Sequence, residues 1–275
     1  MMSRPFILAQ VSDLHIKAGG QLSYGVFDSA AMLRACVRHI LSLKQAPDVL
    51  AITGDLTDSG RIEEYALLRE LIAPLGMPIY LIPGNHDRRD AMRAAFPEHG
   101  YLRQSPDLVL YAIEANPLRI VALDTVVAGE SGGDLDESSL AWLDRTLAEA
   151  PGHPTVVLMH HPPFRTFIGH MDAFGLRDPG PLAAVIERHP QVQAILCGHV
   201  HRAIQVRFAG TVASTAPSVA HQIALDLDVD APSRFVMEPP AYRLHAYTPE
   251  SGLASHIAYI GEFSGPHPFR SPAPR

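Results

Sequence analysis

Cysteine is almost missing from this chain. Cys36 and Cys197 are the only two among 275 residues, they lie far apart, and both sit in apolar stretches. That excludes a disulfide framework and leaves them as small core residues, in keeping with a reducing cytoplasm. A basic surplus is missing too: 22 Lys and Arg stand against 29 Asp and Glu, for a formal net charge of -7. A grip on phosphate backbones ordinarily shows as an excess of positive charge, so no nucleic-acid polymer is expected as a partner. No run of about 20 apolar residues occurs, so no membrane span or membrane partner is expected. The stretch MMSRPFILAQVSD has no long apolar run before its first acidic residue and does not read as a signal peptide.

What the chain does have is a hydrophobic share of 47% and fifteen histidines. The first is enough for a large core. The first 200 residues alternate two patterns. Strand-like runs stand at 6–13, 49–55, 79–87, 108–115, 119–126, 155–161 and 192–201. Helical spacing predicts helices from Asp28, a plausible N-cap, to before Pro47, and at about 61–74, 138–149 and 181–189. Asn116 and Pro117 between two strands suggest a hairpin. This alternation implies an α/β sandwich with sheet material buried between helices. After residue 202 the helical pattern stops. AIQVRF, TVAST and HQIALDLD read as strands, and residues 230–275 are proline-rich with alternating stretches around YRLHAY and SHIAYIGEF.

The strand ends carry the chemistry. They read Asp13-Leu14-His15, Gly54-Asp55, Gly84-Asn85-His86-Asp87, His160-His161 and Gly198-His199-Val200-His201. Alone, each is an ordinary turn or polar pair. Ligand sites in α/β sheets form beyond the carboxyl ends of strands, so five such ends in a row should deliver Asp, His and Asn to one sheet edge. Imidazole and carboxylate donors suit zinc, iron and manganese. Two ions about 3.5–4 Å apart form the clamp used in phosphoryl chemistry, and Asp55 is the natural candidate to bridge them.

D-x-H, G-D, G-N-H-D, H and G-H-x-H, in that order, resemble the calcineurin-like metallophosphoesterases over roughly residues 6–225. YLIPGNHD, MHHPP and CGHVH place the resemblance nearest the glycerophosphodiesterase and class III cyclic-nucleotide phosphodiesterase branch. The resemblance implies a four-layer α/β/β/α sandwich, with residues 1–228 as the catalytic domain and 229–275 as a β-rich C-terminal cap or dimerisation arm. It implies two divalent ions, iron, manganese, zinc or cobalt. Asp13, His15 and His201 would hold the first, Asn85, His160 and His199 the second, and Asp55 both. His86 would face the phosphate as a charge stabiliser or general acid, with His161 packing behind. The loop at 163–178, His221 and Tyr24 would line the substrate pocket.

The expected reaction is hydrolysis of a small phosphodiester, a glycerophosphodiester or cyclic nucleotide, by in-line attack of a metal-bound hydroxide. Two divalent ions less two carboxylates and one hydroxide leave +1, which matches a singly charged diester. A phosphomonoesterase, a phosphonate monoester hydrolase and a non-catalytic metal-binding scaffold are the alternatives; the scaffold should show gaps in the ligand set, and none is present. A protein phosphatase is disfavoured by Ser59, which stands where such relatives carry arginine, and a nuclease by the acidic balance. The alternating segment at 242–263 predicts a homodimer or higher homo-oligomer through the arm.

Overall fold

The computed structural model describes residues 4–269; the last six residues of the expected 229–275 segment and the first three of the chain lie outside the described residues. In chain order the elements are β1 Phe6–Val11, α1 Ser29–Ser42, β2 Val49–Thr53, α2 Ile62–Ile72, β3 Ile79–Ile82, α3 Arg89–Ala95, β4 Tyr111–Ile113, β5 Arg119–Ala122 and α4 Glu137–Ala148. They continue with β6 Thr155–Leu158, α5 Gly169–Asp172, α6 Gly180–Ile186, β7 Val192–Cys197, β8 Ile204–Phe208, β9 Thr211–Thr215, β10 Gln222–Ile223, β11 Phe235–Val236, β12 Ala241–Thr248 and β13 Gly252–Tyr259. Asp28 caps α1 by accepting from the Ala31 amide. Among the described residues no helix is long and apolar enough to cross a membrane.

Two large sheets flanked by helices result. The first runs β13-β12-β1-β2-β3, the second β4-β5-β6-β7-β9-β8. In the second sheet successive residues serve different cores. Ile120, Val156, Leu158, Ala194 and Leu196 join the buried cluster that also holds Leu8, Leu50 and Ile52 of the first sheet. The residues between them, Val121, Val157, Ile195 and Cys197, pack with Leu143 and Leu147 of α4 and Leu182 and Val185 of α6. Strands buried on both faces read as continuous apolar runs, which is why VLAIT and TVVL show no polar alternation.

β1, β2 and β3 are parallel, and so are β5, β6 and β7. The five chemistry-bearing ends therefore divide, three leaving the first sheet and two leaving the second. The single sheet edge anticipated from the sequence is a meeting of two sheets.

One further difference concerns the C-terminal third. HQIALDLD forms a strand only at Gln222–Ile223, which pairs with Phe235–Val236. The alternation beyond it is a loop, because the Asp226 and Asp228 carboxylates accept the amides of Asp228 and Asp230 and offer the backbone an alternative to a ladder. Leu225, Leu227 and Val229 are exposed as a consequence. As a cap would, β12 and β13 complete the first sheet. β12 pairs antiparallel with β1 from Phe6↔Tyr247 to Gln10↔Arg243, and β13 follows as the sheet edge.

Candidate metal centre

Backbone conformation first marks the site. Asp13, His15, Asp55, His199 and His201 all have positive φ, between 44° and 71°. A non-glycine residue there costs on the order of 1–3 kcal/mol, and five of them on three strand ends show strain gathered at one place. Two glycines make room. A Cβ on Gly54 would stand 2.3 Å from His160 Nδ1, and one on Gly84 2.2 Å from Asp55 Oδ1. Strand ends carrying larger residues there could not converge.

The side chains these turns deliver are buried: Asp13, His15, Asp55, His160, His199 and His201 are at most 6% exposed. His15 Nε2 lies 3.2 Å from His201 Nε2 and 3.5 Å from Asp55 Oδ2, and His201 Nε2 lies 3.5 Å from Asp13 Oδ1. Asn85 Oδ1 lies 3.2 Å from both His160 Nε2 and His199 Nδ1, while Asp55 Oδ1 is 3.5 Å from His160 Nε2. Asp55 thus turns one oxygen to each group.

The donor set fits divalent cations on proton bookkeeping. His201 Nδ1 donates to the His221 carbonyl, at 3.1 Å, and His160 Nδ1 donates to the Thr53 carbonyl, at 2.8 Å. With those protons fixed, each imidazole turns its Nε2 inward, bearing a lone pair at His201 and, in the absence of a cation, a proton at His160. Asp13 Oδ2 is a buried acceptor with no partner, and His15 Nε2, His199 Nδ1 and Asn85 Oδ1 face the same space. Such a cage of acceptors is stable only around positive charge. Electrostatics agree. Burial pushes His15 and His199 well below the usual imidazole range and His201 down to about 4, so these rings are neutral donors. Burial pushes Asp13 up to about 7, with Asp55 adding to it. His160 is burdened by burial too, yet the Asp55 carboxylate lifts it to about 9, and His160 in turn outweighs burial at Asp55 and holds it well below the usual carboxylate range. The field between Asp55 and His160 holds a positive charge.

His161 also stands within reach of His160 and His199. Both its nitrogens are engaged: Nε2 donates to the Ser131 carbonyl, at 3.1 Å, and Nδ1 accepts from the Thr125 hydroxyl, at 2.8 Å. That leaves it to brace the 125–131 loop.

His86 and Asn85 are half-buried, the more open part of the cluster. The His86 amide donates to Asp55 Oδ1, at 3.0 Å, and its Nδ1 donates to the Asp58 carbonyl, at 2.8 Å, so Nε2 is the free nitrogen. Burial opposes its protonation, but Asp55 and the Asp58 carbonyl raise its pKa above the ordinary value. The His221 ring packs 4.4 Å from that of His201, and Tyr24, Phe27 and Phe235 surround it with ring centroids 4.9–5.5 Å away. In the 163–178 loop, Ile168 and Met171 pack on Val200, between two of the donor histidines.

Asp87 is the site residue to which sequence reasoning assigned no role. Its carboxylate accepts from the amides of Leu56, Thr57 and Gly84 and from the hydroxyls of Thr57 and Tyr65. It sews the turn after β2 to the turn after β3. Its place as the last letter of Gly-Asn-His-Asp was the available signal. A cleft of about 650 Å³ lined by Arg202, Glu238, Tyr259 and Phe263 includes none of the donors, and donor chemistry outweighs size in locating the site.

Comparison with known proteins follows the same lines. The family described as calcineurin-like phosphoesterase matches residues 7–203. A probable glycerophosphodiester phosphodiesterase GpdQ from Arcobacter nitrofigilis is 43% identical over 264 residues, 96% of each chain. The 3',5'-cyclic adenosine monophosphate phosphodiesterase CpdA of Escherichia coli K12 is 31% identical, over 78% of this chain and 76% of its own. A dimetal phosphatase from Danio rerio shares the fold with a TM-score of 0.64 at 14% identity, over 94% of this chain and all of that one.

Proposed function

We propose, because this chain belongs to the calcineurin-like phosphoesterase family, that it hydrolyses small phosphodiesters, with glycerophosphodiesters as first substrates and cyclic nucleotides second. The carrying observation is Asp55, which turns its two oxygens to two separate groups of donors. In this reading Asp13, His15 and His201 hold one cation, Asn85, His160 and His199 the other, and Asp55 both. Two divalent cations, when bound, supply Lewis acidity, a lowered water pKa and a positive field that two carboxylates only partly cancel, which suits a singly charged diester.

The chain's own residues supply the rest. Asn85 and His86 stand on the open side of the cluster, where a phosphate oxygen can reach both. His86 holds a proton at Nε2, kept there by Asp55 and by the Asp58 carbonyl, and gives it to the departing alkoxide. Lys17 pairs with Asp58 at 2.8 Å and fixes the backbone that His86 leans on. Tyr24 and His221, backed by Phe27 and Phe235, form an apolar wall for the substrate's alcohol group, and the 163–178 loop closes another side.

Residues 1–228 form the catalytic unit in this reading. The 229–275 segment adds β12 and β13 to its sheet and offers the β13 edge to a second copy. The buried free thiols of Cys36 and Cys197 suit the cytoplasm.

The deciding assay compares bis-(4-nitrophenyl) phosphate with 4-nitrophenyl phosphate, on metal-stripped protein and after adding manganese, cobalt, zinc or iron. The diester should be cut faster, and only with metal. Faster monoester cleavage would overturn the diester assignment, and no cleavage with any metal would overturn the enzyme reading. Glycerophosphoethanolamine and cyclic AMP then rank the two substrate classes.

A further inference from the structure

Beneath the donors, polar side chains cross the largely apolar interface between the sheets at a few places: Arg243 of β12 donates to the Thr215 carbonyl of β9, Tyr111 of β4 to the Leu81 carbonyl of β3, and a third chain of side chains runs nearest the donors. Gln10, Thr53 and His245 are fully buried there. Gln10 stands on β1, the middle strand of the first sheet. Its Nε2 donates to Thr53 Oγ1 on β2 and across the gap to the Cys197 carbonyl on β7 of the second sheet, both at 3.0 Å. That carbonyl also accepts the Ala216 amide, so both its lone pairs are used. Because the Gln10 amide nitrogen makes both donations, its Oε1 must accept. His245 Nε2 therefore carries the proton it gives to Gln10 Oε1, at 3.0 Å, and His245 Nδ1 accepts from the Ser255 hydroxyl of β13, at 2.7 Å. One proton order runs from β13 through β12 and β1 to the second sheet, with no member unsatisfied.

The ends of this chain lie close to the donors in sequence. Gln10 precedes Asp13 by three residues, Thr53 precedes Asp55 by two, and Cys197 precedes His199 by two. Thr53 also accepts His160 Nδ1 through its carbonyl. Each proposed cation draws donors from both sheets, so the gap between the sheets at this level sets whether either group can close.

We propose that Gln10 is a positioning residue for the metal centre, tying the two sheets at the separation the donors require, and that Ser255 and His245 hold its amide in the working orientation. This rests on the two-cation reading above. A buried polar network is justified only when each member is satisfied, and removing the tie leaves the His245 N–H without an acceptor and the Thr53 hydroxyl without a donor.

The test is titration of metal-stripped protein with Co²⁺, following visible absorption, with melting of the metal-free protein alongside. Wild type should take up two equivalents. Gln10→Leu, close in volume but unable to tie, should bind at least tenfold more weakly with an altered cobalt spectrum, although it is no ligand. Should Gln10→Leu fail to fold, Ser255→Ala answers the question from an exposed position: it should weaken cobalt binding about threefold, and Ser255→Thr should restore it. Variants that melt lower yet bind cobalt with wild-type affinity and spectrum would reduce the network to a structural role and overturn the proposal. Wild type that takes up no cobalt would overturn the two-cation reading and this inference with it.

Discussion

At the scale of single residues the strongest division of labour is between His86 and its neighbours. Six buried donors face one another with too few protons to go round, which is the condition of a cation cage. His86 has the reverse problem. It donates through Nδ1, gains a proton from its surroundings and has its remaining nitrogen free on the open side. A residue that holds a proton rather than a cation should matter only as far as the leaving group needs that proton. His86→Ala should therefore lower kcat on a glycerophosphodiester about 10²–10⁴-fold, the usual worth of a general acid. On bis-(4-nitrophenyl) phosphate, whose leaving group departs readily as an anion, the loss should be much smaller. Cobalt stoichiometry should stay at two. Equal losses on both substrates would mean that His86 serves charge stabilisation or binding, and loss of a cobalt equivalent would make it a ligand.

At the scale of elements, the chain shows what can be read from sequence and what cannot. Donor residue types at successive strand ends are visible because strand, turn and donor are contiguous in sequence; Gly54-Asp55 and Gly198-His199-Val200-His201 need no knowledge of the third dimension. Asp87, Gln10 and His245 were not legible as parts of the site's scaffold, because their meaning lies in hydrogen bonds to residues 22 to 235 positions away in sequence order, such as Tyr65 and Leu56 for Asp87 and His245 for Gln10. The loop after β10 misled by pattern, since apolar and acidic residues alternate there without forming a ladder. The C-terminal pair was legible as strand but not as to which sheet it completes. Among the described residues β13 ends that sheet with no strand on its outer side and with Ile257 and Tyr259 exposed. An edge of eight residues without proline or inward charge is a template on which the proposed second copy would pair. Light scattering should give at least twice the chain mass, and Ile257→Lys with Tyr259→Lys should return it to one chain with unchanged far-ultraviolet circular dichroism. A wild-type chain that runs as a monomer would dismiss the dimer.

At the scale of the whole molecule, the same buried histidines bind stability to pH and to metal. His161, His221 and His245 are each pushed by burial to about 3, and His201 to about 4, while His15 and His199 lie well below the ordinary value of 6.5 that they regain on unfolding. Between pH 6.5 and about 4 the unfolded chain thus binds more protons than the native one. The stability these six supply is whole above pH 6.5 and falls with decreasing pH, by roughly 1.4 kcal/mol per unit for each proton taken up. Asp13 and His160 act the other way. Their native values, about 7 and about 9, exceed the unfolded 3.8 and 6.5, so their contribution is whole at low pH and is lost as pH rises through 7 and then 9. Asp87, raised by burial to about 6, opposes the histidines with Asp13; six groups against two decide the acid side, and His160 decides the side from 7 to 9. Metal should alter only part of this. Cations bind the deprotonated donors, so their stabilisation grows with pH and replaces the protons that Asp13 and His160 would otherwise need. Metal-stripped protein should show a melting temperature that drops steeply below pH 6.5 and declines again from pH 7 to 9. Excess Mn²⁺ should leave the acid limb nearly in place near pH 5, raise the melting temperature at pH 8 and level the alkaline limb. A melting temperature that is flat from pH 5 to 7 without metal would contradict the neutral burial of the histidines. An Mn²⁺ shift as large at pH 5 as at pH 8 would mean that the cation binds somewhere other than these protonatable donors.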